Sequence, residues 1–175
     1  IKGVMATSIH PGVTKRCTAA GMELFWWNPL YDDFSTAESL TRRLFELNRA
    51  PCMVSGGNSG TSGWVFAHTV LKKKNVALVG IDFGYEPGTP IEKTRYYGDA
   101  VELFGERVED IFIDVPNPHL NATWFTDPAF YWYMQSFLEM ARVADCTTYN
   151  CTEGGILFGG GVKFSPLKEF LANHV

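Results

Sequence analysis

The sequence has no basic surplus: its formal net charge is −4 over 175 residues. Bulk nucleic-acid binding needs a basic face, so nucleic acid is excluded as a general partner. The single basic run, Lys72-Lys73-Lys74, stands where a helix is expected to end, and cations there complement the helix dipole. No apolar run approaches the length of a membrane span. Cysteine is scarce as well. Cys17, Cys52, Cys146 and Cys151 form no CxxC and no finger spacing, which removes the metal-finger class. Cys17 and Cys52 lie in or beside apolar runs and read as small buried hydrophobes, so the chain reads as reduced and cytoplasmic. Two glycosylation sequons, at Asn121 and Asn150, are too short a pattern to set the compartment without a secretion signal. No pair of histidines has metal-ligand spacing, and there is no internal repeat.

What the sequence does have is aromatics, with thirteen Phe, seven Tyr and five Trp, enough for a full core in one domain. Its order of elements is equally clear. Strands are expected over 4–9, 23–27, 52–55 and 76–81, with helices over 13–20, 36–48 and 61–74 between them. The last of these strands is a continuous apolar run, as in a strand covered on both faces. That alternation predicts an α/β fold with a mostly parallel sheet, a Rossmann-like three-layer sandwich in a single domain over 1–175. Asn28-Pro29 reads as the start of a loop. After Tyr85 the pattern loosens, and 86–125 reads as an irregular, lid-like insertion with strands near 111–115 and 122–125. Asp127-Pro128 reads as an N-cap and first helical residue, followed by a helix with Phe130, Met134, Phe137 and Leu138 on one face. A short strand over 147–150 and a terminal helix complete the chain. The aromatics Trp26-Trp27 and Tyr131-Trp132-Tyr133 read as core or interface, which leaves a homo-oligomer open.

The stretch that organises the rest is 55–85. Gly56, Gly57, Gly60 and Gly63 stand among Asn58, Ser59, Thr61 and Ser62, between a strand and a helix. Backbone N–H groups approach an anion there without an intervening Cβ, and the helix dipole favours negative charge. The turn is not a Walker A loop, a dinucleotide GxGxxG or a nucleophile elbow at Ser59 or Ser62. It reads either as a ligand-binding turn or as a turn that lets helix and strand pack closely. Asp82 is expected at the carboxyl end of the 76–81 strand, facing the same crevice, where it suits a ribose hydroxyl, a metal ion or a turn. Asn150, Gly154 and Gly155 follow another strand and are expected to complete the pocket. Three groups have the chemistry of a general base: His10 at a strand end, His119 in a Pro/Asn-rich loop, and Glu153. His68 falls on the apolar stripe of its helix and reads as a core histidine.

Gly56-Gly-Asn-Ser-Gly60, Trp64-Val-Phe-Ala-His68 and Val79-Gly-Ile-Asp-Phe-Gly-Tyr85 resemble the signature of the MptE-like family. That family includes motility accessory factors, associated with flagellin glycosylation by nonulosonic acids, and archaeal 6-hydroxymethylpterin pyrophosphokinases. The stretch from Asn150 to Gly155 resembles its C-terminal motif. Thr61-Ser-Gly63 with Gly80-Ile-Asp-Phe83 is also similar to the core of bacterial sialyltransferases that use a CMP-activated sugar, where the glycine-rich segment helps bind the nucleotide. The resemblance implies a nucleotide or nucleotide-sugar ligand, glycosyl transfer or, with Mg²⁺, pyrophosphoryl transfer. A non-catalytic nucleotide- or sugar-binding domain is the alternative outside enzymology. Two departures stand out. The family's Gly-x-Gly-Pro-Ser-Leu loop does not occur, which gives the expectation that an N-terminal part of the family domain is missing. Where the sialyltransferases carry a histidine base, this chain has Thr126.

Overall fold

A computed structural model of the chain describes residues 1–174. The fold is mixed α/β, its sheets mostly parallel, and it falls into two compact units, Ile1–Ser55 and the chain from Gly56 onward.

In the first unit β1 (Lys2–Ala6), β2 (Glu23–Pro29) and β3 (Cys52–Met53) form a parallel sheet in that order, with α1 (Pro11–Ala19) and α2 (Leu40–Asn48) as the crossovers. β2 runs two residues further than the sequence suggests, through Asn28-Pro29. The reason is a set of long-range hydrogen bonds. The buried Asn28 amide donates to Asn48 Oδ1 at 2.9 Å and to the Ala50 carbonyl at 3.2 Å, and its oxygen accepts from Thr7 Oγ1 at 2.9 Å. A fully satisfied side-chain amide can sit in a strand that a free one disfavours. α2 begins at Leu40 rather than near Thr36, because Asp33 folds the intervening residues into a turn: its carboxylate accepts from Ser35 N and its carbonyl from Thr36 Oγ1.

The N-terminus of α2 is held by two residues. Ser39 Oγ accepts from Arg42 N, and Asp32 accepts from Ser39 Oγ at 2.7 Å, Leu40 N at 2.7 Å and Thr41 N at 3.2 Å. Those hydrogen bonds stabilise the carboxylate and hold its pKa at about 2, below the ordinary 3.8. The folded pKa is depressed, so the stability it contributes is full above pH 3.8 and is lost as pH falls toward 2. Asp32→Asn is therefore expected to destabilise the chain at pH 6, with the difference from the wild type shrinking below pH 3.8 in parallel urea titrations. A difference that stays constant with pH would refute that role.

In the second unit β4 (Asn75–Leu78), β7 (Thr147–Asn150) and β8 (Lys163–Phe164) form a parallel sheet in that order. β5 (Ile113–Asn117) and β6 (Ala122–Thr126) pair as an antiparallel hairpin. The helices are α3 (Ser59–Val65), α4 (Tyr97–Phe104), α5 (Pro128–Val143) and α6 (Leu167–His174). Residues 86–125 thus contain a helix, two 3₁₀ stretches and the hairpin where the sequence reads largely irregular. Helix α3 does not run uniformly to Lys74: over Phe66–Val70 it widens to π geometry, with Leu71 N bonded to the Phe66 carbonyl at 3.0 Å. Its anchor is Trp64, buried against Phe137 with ring centroids 4.9 Å apart, its indole N–H donating to Thr148 Oγ1 at 2.9 Å. His68 packs on the same ring at 4.3 Å, in keeping with the apolar stripe, and burial lowers its pKa. Phe137 and Ile156, both wholly buried, lie at the centre of this core.

Candidate functional site

The glycine-rich turn is fastened by its own polar side chains. Asn58 is the N-cap of α3: its Oδ1 accepts from Thr61 N at 2.9 Å, and its Nδ2 donates to Thr61 Oγ1 at 2.9 Å and to the Gly56 carbonyl at 3.3 Å. Ser62 Oγ donates to the Asn58 carbonyl at 3.0 Å. Gly56 and Gly57 both have positive φ, and a Cβ on Gly57 would lie 2.5 Å from the Tyr133 ring, so glycine is required there. Asn58 and Thr61, counted among the ligand-binding residues from the sequence, are engaged in building the turn. The donors left to the site are the Ser59 and Gly60 N–H groups, for which no protein acceptor occurs among the described residues. Removing the Asn58 cap strands the buried Thr61 hydroxyl as well, so Asn58→Ala is expected to cost about 2 kcal/mol in urea unfolding. Asn58→Asp keeps the cap to Thr61 N and should lose less. Equal stability of all three proteins would contradict the assignment.

Asn58, Ser59 and Gly60 line one side of a cavity of about 270 Å³; Gly80, Ile81, Asp82, Phe83 and Gly84 line another, and Phe130 and Tyr133 complete it. The position is the carboxyl end of β4, where open α/β sheets place ligands. β4 stops at Leu78 rather than Ile81, since Gly80 takes positive φ and Ile81 N turns to Thr152 Oγ1 at 3.3 Å. Asp82 therefore sits in the loop beyond the strand, not on its last residue. It is half-buried, its carboxylate makes no hydrogen bond or ion pair with the described residues, and burial raises its pKa. No Lys or Arg lines the cavity.

The second glycine cluster meets Asp82 from its backbone side. Ile156 N donates to the Asp82 carbonyl at 2.8 Å, and a Cβ on Gly155 would lie 2.3 Å from that same oxygen. A Cβ on Gly154 would lie 3.1 Å from Asp82 Oδ1. Asn150 is buried and engaged, its Nδ2 donating to the Leu157 carbonyl at 2.8 Å and its Oδ1 accepting from Thr152 N at 3.0 Å. Asn150, Gly154 and Gly155 thus hold the Asp82 loop in shape and do not line the cavity.

Each of the three candidate bases has its own local setting. His10 belongs to the first unit and caps α1, its Nδ1 accepting from Gly12 N at 3.0 Å. His119 lies at the β5–β6 turn, stacked on Phe164 with centroids 4.7 Å apart. Glu153 is exposed, at positive φ. Neither His119 nor Glu153 lines the cavity. Thr126 is wholly buried, and its hydroxyl donates to the Phe83 carbonyl at 2.8 Å, which fixes the far end of the Asp82 loop.

Sequence reasoning missed the aromatic wall. Phe130 and Tyr133 stand one turn apart on α5, and the spacing was visible; what hid them was the reading of Phe130 as core and Tyr133 as core or interface. Behind Phe130, Tyr85 and Tyr96 pack at 5.3 and 5.6 Å. Tyr85 Oη donates to Asp127 Oδ2 at 2.6 Å and accepts from Arg95 N at 3.0 Å, while Asp127 Oδ1 accepts from Phe130 N. Burial, then the Asp127 hydrogen bond, pushes the Tyr85 phenol well above its ordinary value.

Among the described residues no three His, Cys, Asp or Glu side chains converge on a metal site. Mg²⁺ in this cavity would have Asp82 as its protein carboxylate and would take its other ligands from nucleotide phosphates and water. No helix among the described residues is long and apolar enough to cross a membrane. No family model matches the chain, and neither a curated protein nor a solved structure matches it.

Proposed function

We propose that the chain is a nucleotide-dependent transferase of the MptE-like kind, on a Rossmann-like three-layer core, acting by glycosyl transfer from a nucleotide-sugar. The observation that carries this reading is the single cavity shared by the Ser59–Gly60 amides, the unpartnered Asp82 carboxylate and two aromatic rings. Two N–H donors suit a phosphate oxygen, a carboxylate suits hydroxyls, and aromatic faces suit a sugar ring or a base. Without a Lys or Arg in the lining, a triphosphate's charge goes uncompensated by protein, which favours a nucleotide-sugar over ATP.

In this reading the acceptor hydroxyl attacks the anomeric carbon as the bond from that carbon to the phosphate oxygen breaks. The phosphate leaves with the bonding electrons, and the acceptor proton passes to Asp82. Asp82 takes this role over His10, His119 and Glu153 because it is the one titratable carboxylate in the lining. Burial raises its proton affinity toward what a base needs, without a partner to compete.

The second reading, a non-catalytic nucleotide- or sugar-binding domain, is favoured by the absence of His119 and Glu153 from that cavity's lining. A thermal-shift series with CMP, UDP, GDP and ATP, each with and without Mg²⁺, followed by turnover of the corresponding nucleotide-sugars, separates the possibilities. Stabilisation by a nucleotide without metal, with release of nucleotide from its sugar, is the expected result. Binding without turnover selects the binding domain, and a strict ATP–Mg²⁺ requirement selects pyrophosphoryl transfer.

A further inference from the structure

The two ends of the glycine-rich turn abut different chemistry. A Cβ on Gly60 would lie 2.7 Å from Ile81 Cδ1, so this end packs against the Asp82 loop. A Cβ on Gly57 would lie 2.5 Å from the Tyr133 ring and 3.3 Å from Cζ3 of Trp132, so the other end packs against α5. Ser59, for whose N–H no protein acceptor occurs among the described residues, is two residues beyond Gly57. Two residues span at most about 7 Å, a length that a ribose bridges. A phosphate on the Ser59 and Gly60 amides therefore has the carboxylate on one side and a pair of aromatic rings on the other.

Trp132 leaves its indole in water. It is 60% exposed, the most exposed aromatic among the described residues, although a tryptophan has a large apolar surface to hide. The Tyr133 ring stands 5.4 Å away at 58°, so it flanks the indole without stacking on its face. Gly57 has no side chain to cover it either. The neighbouring cavity, of about 270 Å³, is smaller than the roughly 300–1,000 Å³ of pockets that enclose a whole small-molecule ligand, so a nucleotide-sugar extends past it. An exposed flat ring beside that wall suits a nucleobase, which offers a π-face of its own. We infer that Trp132 is the platform on which the base of the nucleotide stacks, with the phosphate at the Ser59 and Gly60 amides and the transferred sugar turned inward to Asp82. This rests on the nucleotide reading above and gives it a direction.

The test is calorimetric titration of the full chain with CMP, UDP and GDP, and with ribose 5-phosphate, which has the sugar and a phosphate but no base. The tightest nucleotide is expected to bind about tenfold better than ribose 5-phosphate, the lower part of the range for a base stacked on an aromatic ring. Trp132→Ala should remove that advantage and leave ribose 5-phosphate unchanged, whereas Trp132→Phe keeps a ring and most of the affinity. Circular dichroism checks the fold, and light scattering checks the oligomeric state. Nucleotide affinity that survives Trp132→Ala, an equal loss for ribose 5-phosphate, or a loss that tracks a change in oligomeric state would overturn this inference alone. No binding of any nucleotide to the wild type would overturn the nucleotide reading and this inference with it.

Discussion

Asp82→Asn is expected to lower nucleotide-sugar turnover by about a hundredfold or more while leaving nucleotide affinity within about threefold, the pattern of a lost general base. The same substitution should make the protein more stable at neutral pH. Burial raises the folded pKa of Asp82 above the ordinary 3.8, so stability is full below that value and falls as pH rises through the raised folded pKa. Asparagine has no charge to desolvate and escapes that loss. Opposite signs for activity and stability distinguish a functional carboxylate from a structural one, whose removal lowers both. Alanine at His10, His119 or Glu153 should leave turnover within a few-fold. A profile of kcat/KM that falls as pH drops through the folded pKa of Asp82, and that flattens in the variant, is the kinetic counterpart. Turnover unchanged in Asp82→Asn would remove the base from the mechanism, and loss of binding together with turnover would make Asp82 a ligand contact instead.

The second large effect is expected at Gly155. Its φ is +76°, and an added Cβ would fall 2.3 Å from the Asp82 carbonyl oxygen and 2.4 Å from its Cα. Both are backbone atoms of a loop whose successive carbonyls, of Asp82 and Phe83, are held by Ile156 N and Thr126 Oγ1, so neither can withdraw cheaply. Gly155→Ala combines left-handed strain with a clash and should cost about 3 kcal/mol in denaturant unfolding. Gly159→Ala is the control: φ is +88° there too, but nothing lies within 4 Å of the added Cβ, so only the conformational part remains, about 1 kcal/mol. Equal costs at the two glycines would show that the Gly155–Asp82 contact does not hold the loop.

Local signals in the sequence proved readable where the cause is local. Asp127-Pro128 starts α5 because a carboxylate three residues before the N–H it caps and a ring with fixed φ need no distant partner. The strand over 147–150 was equally legible from its composition and flanking turn. Failures fall where a distant partner decides. Asn28 enters β2 because Asn48, Ala50 and Thr7 satisfy it from elsewhere in the unit. The end of β4 is set by Thr152, seventy-one residues beyond Ile81, which no window around Gly80 contains. In the glycine-rich turn, the polar side chains among the glycines are fasteners of the turn itself. Asn58 spells a ligand-binding amide and an N-cap with the same letters, and only the position of Thr61 tells them apart. β8, two residues long, has no periodicity to read at all.

The central claim is that the cavity between the Asn58 cap and the Asp82 loop is where a nucleotide-sugar binds. Backbone-amide NMR of the full chain titrated with CMP and a CMP-sugar tests it most directly. The account predicts saturable shifts concentrated at Ser59, Gly60, Gly80, Asp82 and Tyr133, retained in Asp82→Asn with affinity changed by no more than about threefold. Saturable shifts confined to other residues, or none at saturating ligand, would contradict it.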